Sequence, residues 1–403
     1  MKIDIHGYTH RAELALKRMD SSSISKKNKT HIRGFVDHCA ADGLSMGRIA
    51  KYIYTLRKWA EWLNKDFDKV TKKDMAPVVT KIQMSESYTA WTKQSFKVMI
   101  KSFYKWLKKG DDYPPEVKWI SVRMKLSERR LPGQGELISE EDVKKVLEVI
   151  DLPRDKALLS MLWESGCRIG ELCSLRLNNV SVDKYGVLIT VQGKTGSRKL
   201  RLVSSTQYLM RWLDMHPTKD DKSSPLWINI GSVNTKEAVK YRNVSIRLKQ
   251  YFKIAGINKR CYPHLFRHSR ATYLANHLTE FQMNMYFGWV QGSNMPSTYV
   301  HLSGKEIDSA ILSLNGIKQE EKKDEEVQLR PKKCPRCDTI NNYDSKYCCK
   351  CAGILDIVEA MELQTRQEEA ERRLSEQDDL MEKLIKNPDV VKMLVQKLRE
   401  VGA

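Results

Sequence analysis

Apolar residues recur at helical spacing through the first hundred residues, and that one period restricts the chain to a mainly helical fold. Ile32, Phe35, Val36 and Cys39 share one face of a stretch covering 24–41, which stops at Asp42-Gly43. Ile49, Ile53, Leu56, Trp59 and Leu63 repeat the pattern after Ser45. Thr71 with Asp74 three residues on has the form of a reciprocal helix cap, and 87–107, rich in Lys, Trp, Phe and Tyr, predicts a fourth helix. Residues 21–110 therefore predict a four-helix unit, with 1–20 as an N-terminal extension. The stretch 111–137 carries Pro114, Pro115, Pro132, Gly133 and Gly135 around Arg123, Lys125, Arg129 and Arg130; this punctuation interrupts regular structure and predicts a linker.

A second domain is expected over 138–316. Ser139 followed by Glu140, Glu141 and Asp142 is a helix start, because acids complement the positive end of the helix dipole. A helix over 155–165 leads into Gly166-Cys167-Arg168. The period then changes: 187–192 and 199–203 read as two strands joined by the turn Gly193-Lys194-Thr195-Gly196-Ser197. Helices return over 245–255, 264–278 and 280–287. The fold class is mainly α with a small β-sheet, the second domain being of α+β type.

His264 and Arg267 stand three apart on one of these helices, so both can address a single anion, and a phosphate is the natural candidate. The chain as a whole carries a formal net charge of +20 and a pI near 9.4, which points to a polyanionic partner. The excess is uneven: 1–135 has a net charge of +14 and 356–403 one of −4. Lys93, Lys97, Lys101, Lys105, Lys108 and Lys109 are expected on the exposed faces of the four-helix unit, among aromatic residues. Taken alone they fit a solvated helix face as well as a phosphate-contacting one.

Arg168 in GCRIGEL, Lys194 in QGKTGS, His264 and Arg267 in PHLFRHSRAT, Trp289 after Gly288 and Tyr299 in STYVH, in that order and spacing, resemble the tyrosine recombinases. This is the family of the phage integrases and Xer-type resolvases, and the likeness runs over roughly residues 20 to 315. It implies that 21–110 is a helical core-binding domain and 138–316 a catalytic domain, the two closing on double-stranded DNA as a clamp. It also implies a homo-tetramer on DNA and site-specific recombination (integration, excision or resolution) through a 3′-phosphotyrosyl intermediate, with neither metal nor ATP in the chemistry. Tyr299 would be the nucleophile; a phenol with pKa of about 10 becomes one only where positive charge favours phenolate. Arg168 and Arg267 would neutralise the charge building on the phosphate, for which a permanently charged planar fork of donors is suited. Lys194 would protonate the leaving 5′ oxygen, with Arg198 and Lys199 in reserve if the turn register differs, and His264 would act as acid/base or phosphate donor. Most relatives have His where this chain has Trp289, whose indole N–H can donate but cannot shuttle protons. Glu171 would orient Arg168. The rival readings are a type IB topoisomerase and a DNA-binding protein with a retired active site.

Beyond the charged stretch 317–330, expected to be a linker, comes CPRC-x10-CCKC. Cys334, Cys337, Cys348 and Cys351 have the spacing of a tetrahedral structural zinc site over 331–355, with Cys349 as the spare. Four thiolates leave no open coordination position, so the ion serves folding and not catalysis. The module resembles the zinc ribbons of archaeal DNA- and RNA-handling proteins, which suggests an archaeal type of recombinase. Cys39, Cys167, Cys173 and Cys261 are expected to be reduced core thiols. A helical tail over 356–403 carries an imperfect heptad (Ala360, Leu363, Gln367, Ala370, Leu374, Gln377, Met381, Leu384), is broken at Asn387-Pro388, and ends in a short amphipathic helix over 390–401. No run of 18 apolar residues occurs and the N-terminus lacks the apolar core of a signal peptide, so a cytoplasmic protein with no membrane span is expected.

Overall fold

The computed structural model describes residues 3–125, 128, 132–231, 235–303, 314–315, 329–386 and 388–401. Its N-terminal unit holds α1 (Tyr8–Asp20), α2 (Lys26–Ala41), α3 (Met46–Leu63), α4 (Lys72–Met84), α5 (Ala90–Leu107) and the short α6 (Pro115–Lys118). The local signals are capped as the chemistry demands: Ser25 accepts from the Asn28 N–H, Thr89 from the Thr92 N–H, and Asp74 accepts from the Thr71 N–H at 2.7 Å. The periodic residues Ile32, Ile53, Leu56, Trp59, Phe67 and Phe103 are fully buried and make one core.

Three expectations for this unit need correction. Residues 8–20 are no loose extension: α1 packs along α3, burying Ala12 and Met19, so the bundle has five main helices and not four. Its buried stripe is thin, which is why the period is faint in the sequence, and Gly47 admits the Tyr8 ring where a Cβ would stand 3.0 Å away. Residues 115–120 belong to the bundle and not to a linker, since Val117 and Ile120 lie in its core. Lys101, expected on an exposed basic face, is buried and donates to the Lys118 and Ile120 carbonyls at 3.2 and 3.0 Å. Arg129 and Arg130 lie outside the described residues.

The second unit contains α7 (Glu140–Glu148), α8 (Pro153–Ser165), α9 (Ile169–Cys173), β1 (Val180–Asp183), β2 (Gly186–Gly193), β3 (Gly196–Leu202), α10 (Thr206–Asp214), α11 (Tyr241–Ile254), α12 (Pro263–Leu274), α13 (Glu280–Phe287) and α14 (Met295–Ser303). The strands form an antiparallel sheet in the order β1-β2-β3. Gly193 pairs with Gly196, so the hairpin turns on Lys194-Thr195 alone, tighter than the five-residue turn expected. β1, α9, α10 and α14 were not foreseen; β1 is short and mostly exposed, so it carries no alternation to read. α8 is buried over most of its surface and is the axis of this core, although it carries Arg154, Asp155 and Glu164, which are buried with hydrogen-bond partners. At its end Glu164 accepts from the N–H groups of Val203, Ser204 and Ser205 at 2.6, 3.0 and 2.8 Å and from the Ser205 hydroxyl at 2.6 Å. Ile5 crosses over to join this core, and its carbonyl accepts from the Tyr241 N–H at 2.9 Å.

The cysteine module, with β4 (Lys332–Lys333) pairing β5 (Ile340–Asn341), is docked on α10. Gln207 donates to the Ile340 carbonyl at 2.7 Å, Tyr208 to the Asp344 carboxylate at 3.1 Å, and Leu329 enters the second unit's core. Nearly all of the 317–330 stretch lies outside the described residues. The tail forms α15 (Ile357–Lys386) and α16 (Pro388–Val401), with Leu374 and Met381 exposed; Asn387 lies outside the described residues. Among the described residues no helix is long and apolar enough to cross a membrane.

Glu164→Ala should leave three turn N–H groups without their acceptor and destabilise the fold by about 3 kcal/mol or more, read by urea unfolding, with Glu164→Gln losing less.

Candidate active site

The N-terminal turns of α12 carry His264, Arg267 and His268 at i, i+3 and i+4, hence on one face. Arg267 is only 2% exposed. Its two terminal nitrogens donate to the Gly166 carbonyl at 3.1 Å and the Phe287 carbonyl at 2.7 Å, and its guanidinium lies 5.0 Å from the Phe287 ring and 5.4 Å from that of Trp289. Burial, and after it the Arg168 cation, pushes its pKa down to about 10, so it stays charged at neutral pH. Gly166 ends α8 in the left-handed conformation, φ 55°, and a Cβ there would stand 2.7 Å from the Phe287 ring.

Arg168 starts α9 with its side chain about one third exposed, and donates to one Glu171 oxygen at 2.8 Å. The other Glu171 oxygen accepts from Arg198 at 2.7 Å, and Arg198 also donates to the Tyr286 carbonyl at 2.8 Å. Burial would raise the Glu171 pKa, but Arg198 and Arg168 outweigh it and hold the carboxyl below its ordinary value. One carboxylate thus stands among the guanidiniums of Arg168, Arg198 and Arg267, and the recess stays positive. Arg198, a reserve candidate for the hairpin's proton donor, is turned inward to this bridge, with its Nη1 buried and lacking a hydrogen-bond partner among the described residues. Lys194 and Lys199 are both exposed. Lys194 sits at the hairpin tip, which is tied beside Trp289 by a 3.3 Å bond from the Thr195 hydroxyl to the Gly288 carbonyl.

Tyr299, on α14, is 1% exposed. Its ring stacks on Trp289 at 5.4 Å with 4° between planes, and Trp289 stacks in turn on Phe287 at 4.8 Å. Its hydroxyl lies 2.9 Å from His268 Nδ1. Burial raises the phenol pKa, against the opposing pull of Arg267 and Arg168. His268 is pushed down to about 4 by burial, then by His264 and Arg267. The His264 ring is open to solvent but crowded by the walls of the recess; that crowding, then Arg267 and Arg168, lowers its pKa as well. Both imidazoles are therefore neutral at pH 7.

Arg168, His264, Arg267, Trp289 and Tyr299, scattered over 132 positions, are thus brought to one recess, with Lys194 at its rim. His268 escaped the sequence reading, although it stands one turn beyond His264 on the same face. At the other end of the chain, the Sγ atoms of Cys334, Cys337, Cys348 and Cys351 all lie within 4.8 Å of one another, with two pairs at 3.6 and 3.5 Å. Tetrahedral bonds of about 2.3 Å would set sulfurs about 3.8 Å apart, so the cluster fits a metal ion. Cys349 is exposed and outside it, its N–H bonded to Asn341. Cys39, Cys167, Cys173 and Cys261 are buried free thiols.

Residues 136–306 match the phage integrase family. The tyrosine recombinase XerA of Pyrococcus horikoshii is 28% identical over 250 residues, 61% of this chain and 80% of that protein. XerD of Pseudomonas putida is 35% identical over 149 residues, 35% of this chain and 48% of that protein. Among solved structures, the XerH recombinase bound to difH in a post-cleavage complex superimposes with a TM-score of 0.54 at 16% identity, covering 78% of this chain and 98% of that one. A lambda integrase tetramer bound to a Holliday junction gives 0.54 at 13% identity, covering 72% and 82%.

A carboxyl held below its ordinary pKa stabilises the fold above the ordinary carboxylate range and loses that contribution as pH falls through the depressed value. Glu171→Gln should therefore lower the melting temperature most at pH 7, and the gap from wild type should narrow as pH drops below about 4.3, followed by calorimetry.

Proposed function

We propose, from the phage integrase family domain in this chain and its homology to the Xer tyrosine recombinases, that it is a site-specific DNA recombinase acting on duplex DNA in the cytoplasm. The observation that carries the reading is Tyr299 held in one recess with Arg168, Arg267 and His264. A scissile phosphate bound there meets two guanidiniums that offset the charge of its non-bridging oxygens, with His264 and the Trp289 indole N–H as further donors. The Tyr299 oxygen attacks phosphorus, giving a 3′-phosphotyrosyl bond, while the 5′ oxygen leaves with a proton from Lys194 at the hairpin tip. The bond energy stays in the phosphotyrosine, so a 5′-hydroxyl from a second strand reverses the step without ATP. The α1–α6 bundle is the core-binding half of a clamp, residues 138–316 the catalytic half, and strand exchange proceeds in a homo-tetramer on DNA, the state in which the lambda integrase relative is seen.

The four-cysteine cluster holds a structural zinc ion. It supplies no chemistry to cleavage; docked on α10 through Ile340 and Asp344, it braces the catalytic half. One zinc per chain should be found by elemental analysis. Chelation or Cys334→Ser should lower the melting temperature of the whole catalytic half and not only that of the ribbon.

A nicked suicide substrate cut from the protein's own recombination site tests the activity. Wild type should yield a covalent protein–DNA adduct on a denaturing gel, Tyr299→Phe should yield none while still binding DNA, and Arg168→Ala should reduce the yield at least a hundredfold. Binding without an adduct from wild type would leave a DNA-binding protein with a retired site.

A further inference from the structure

The proton on the Tyr299 phenol must go somewhere when the oxygen attacks, and the residue that receives it is set by contact. The Tyr299 hydroxyl touches His268 Nδ1 at 2.9 Å, whereas His264 stands one turn back, edge-on to His268 with ring centroids 4.7 Å apart. We infer that His268 is a catalytic residue, the general base that takes the Tyr299 proton, and that the bound phosphate switches it on. This rests on the assignment of Tyr299 as nucleophile.

Without DNA, His268 is a poor base. It faces His264 and Arg267 on its own helix and Tyr299 on α14, and the Arg168 charge reaches both His264 and Tyr299 from the start of α9. The charge that acts on it directly, Arg267, is positive, the Glu171 carboxylate is taken up by Arg168 and Arg198, and its ring is part-buried, so the imidazole is held neutral and the phenol keeps its proton. Trp289 stacked on the ring fixes the phenol in this bond. A phosphodiester entering between Arg168, Arg267 and His264 brings a negative charge into that field. Its charge cancels the repulsion that keeps His268 from accepting a proton, so the base gains strength only when substrate is present. In the step itself the Tyr299 O–H bond breaks, the proton passes to His268 Nδ1, the tyrosyl oxygen bonds phosphorus, and the 5′ oxygen leaves with a proton from Lys194. Religation runs in reverse, and His268 returns its proton to the phenol. The resting site thereby keeps a buried nucleophile inert.

The test compares adduct formation by wild type, His268→Asn, His268→Ala and His264→Asn on a nicked suicide substrate across pH 5–9, with DNA binding and melting temperature recorded for each. Asn sets an acceptor oxygen near the place of Nδ1 but cannot take a proton. If His268 is the base, His268→Asn binds DNA as wild type does yet cleaves at least a hundredfold more slowly, and the fall in wild-type rate toward acid pH disappears. Added imidazole then restores cleavage in His268→Ala, and a substrate with sulfur in place of the leaving 5′ oxygen rescues Lys194→Ala but not His268→Asn. The inference is overturned if His268→Asn cleaves within about threefold of wild type with the same pH profile, which marks a positioning contact only. It is equally overturned if the sulfur substrate rescues His268→Asn, which would move its role to the leaving group. A wild type that forms no Tyr299-dependent adduct would instead overturn the assignment of the nucleophile itself.

Discussion

The buried Arg267 guanidinium is the constraint around which the catalytic half is arranged. A charge so deeply enclosed must be met by fixed acceptors, and among the described residues these are main-chain carbonyls at the ends of α8 and α13, Gly166 and Phe287. Those bonds fix three helix ends relative to one another. Gly166 must be glycine for two reasons at once: a left-handed backbone, and a Phe287 ring standing where its Cβ would be. The residues that follow these two helix ends are Arg168 and Trp289, so the packing of one cation sets the positions of the groups beside it.

Glu171 extends the same logic to the sheet. Its carboxylate separates Arg168 from Arg198, and Arg198 reaches across to the Tyr286 carbonyl, so the β2–β3 hairpin is anchored to both walls of the recess. The tight Lys194-Thr195 turn is thereby held next to Gly288 while the Lys194 side chain stays in solvent. A cationic recess with one internal anion is rigid at its base and free at its rim. That suits the phosphate clamp and the rim proton donor proposed for it.

At the C-terminal end the cysteine cluster is more than an appendage on a charged tether. Its bonds to Gln207 and Tyr208 on α10 join the four-cysteine cluster to the fold that carries the site. The N-terminus does something similar from the other side, where Ile5 enters the catalytic core and α1 enters the bundle, so one short stretch belongs to both units.

What is local or chemically specific could be read from the order of the residues alone. Helix starts at Thr71 and Ser139, the hairpin glycines, the two cysteine knuckles and the residues that carry the family resemblance were all legible, because a cap, a turn or a ligand spacing acts over a few positions. Tertiary structure decided what depends on partners far away in the chain. Lys101 reads as one more surface lysine, yet the carbonyls of Lys118 and Ile120 bury it. α1 shows only a faint period because α3 supplies most of the surface that holds it, and Arg198 looks like a hairpin cation until Glu171 claims it. Above all, which histidine meets the Tyr299 hydroxyl could not be read from a motif: His264 and His268 share a helix face, and only the placement of α14 against α12 brings Nδ1 of the second to 2.9 Å from the phenol. Hydrogen bonds are short-ranged, so a choice between side chains one turn apart is made by packing and not by spacing.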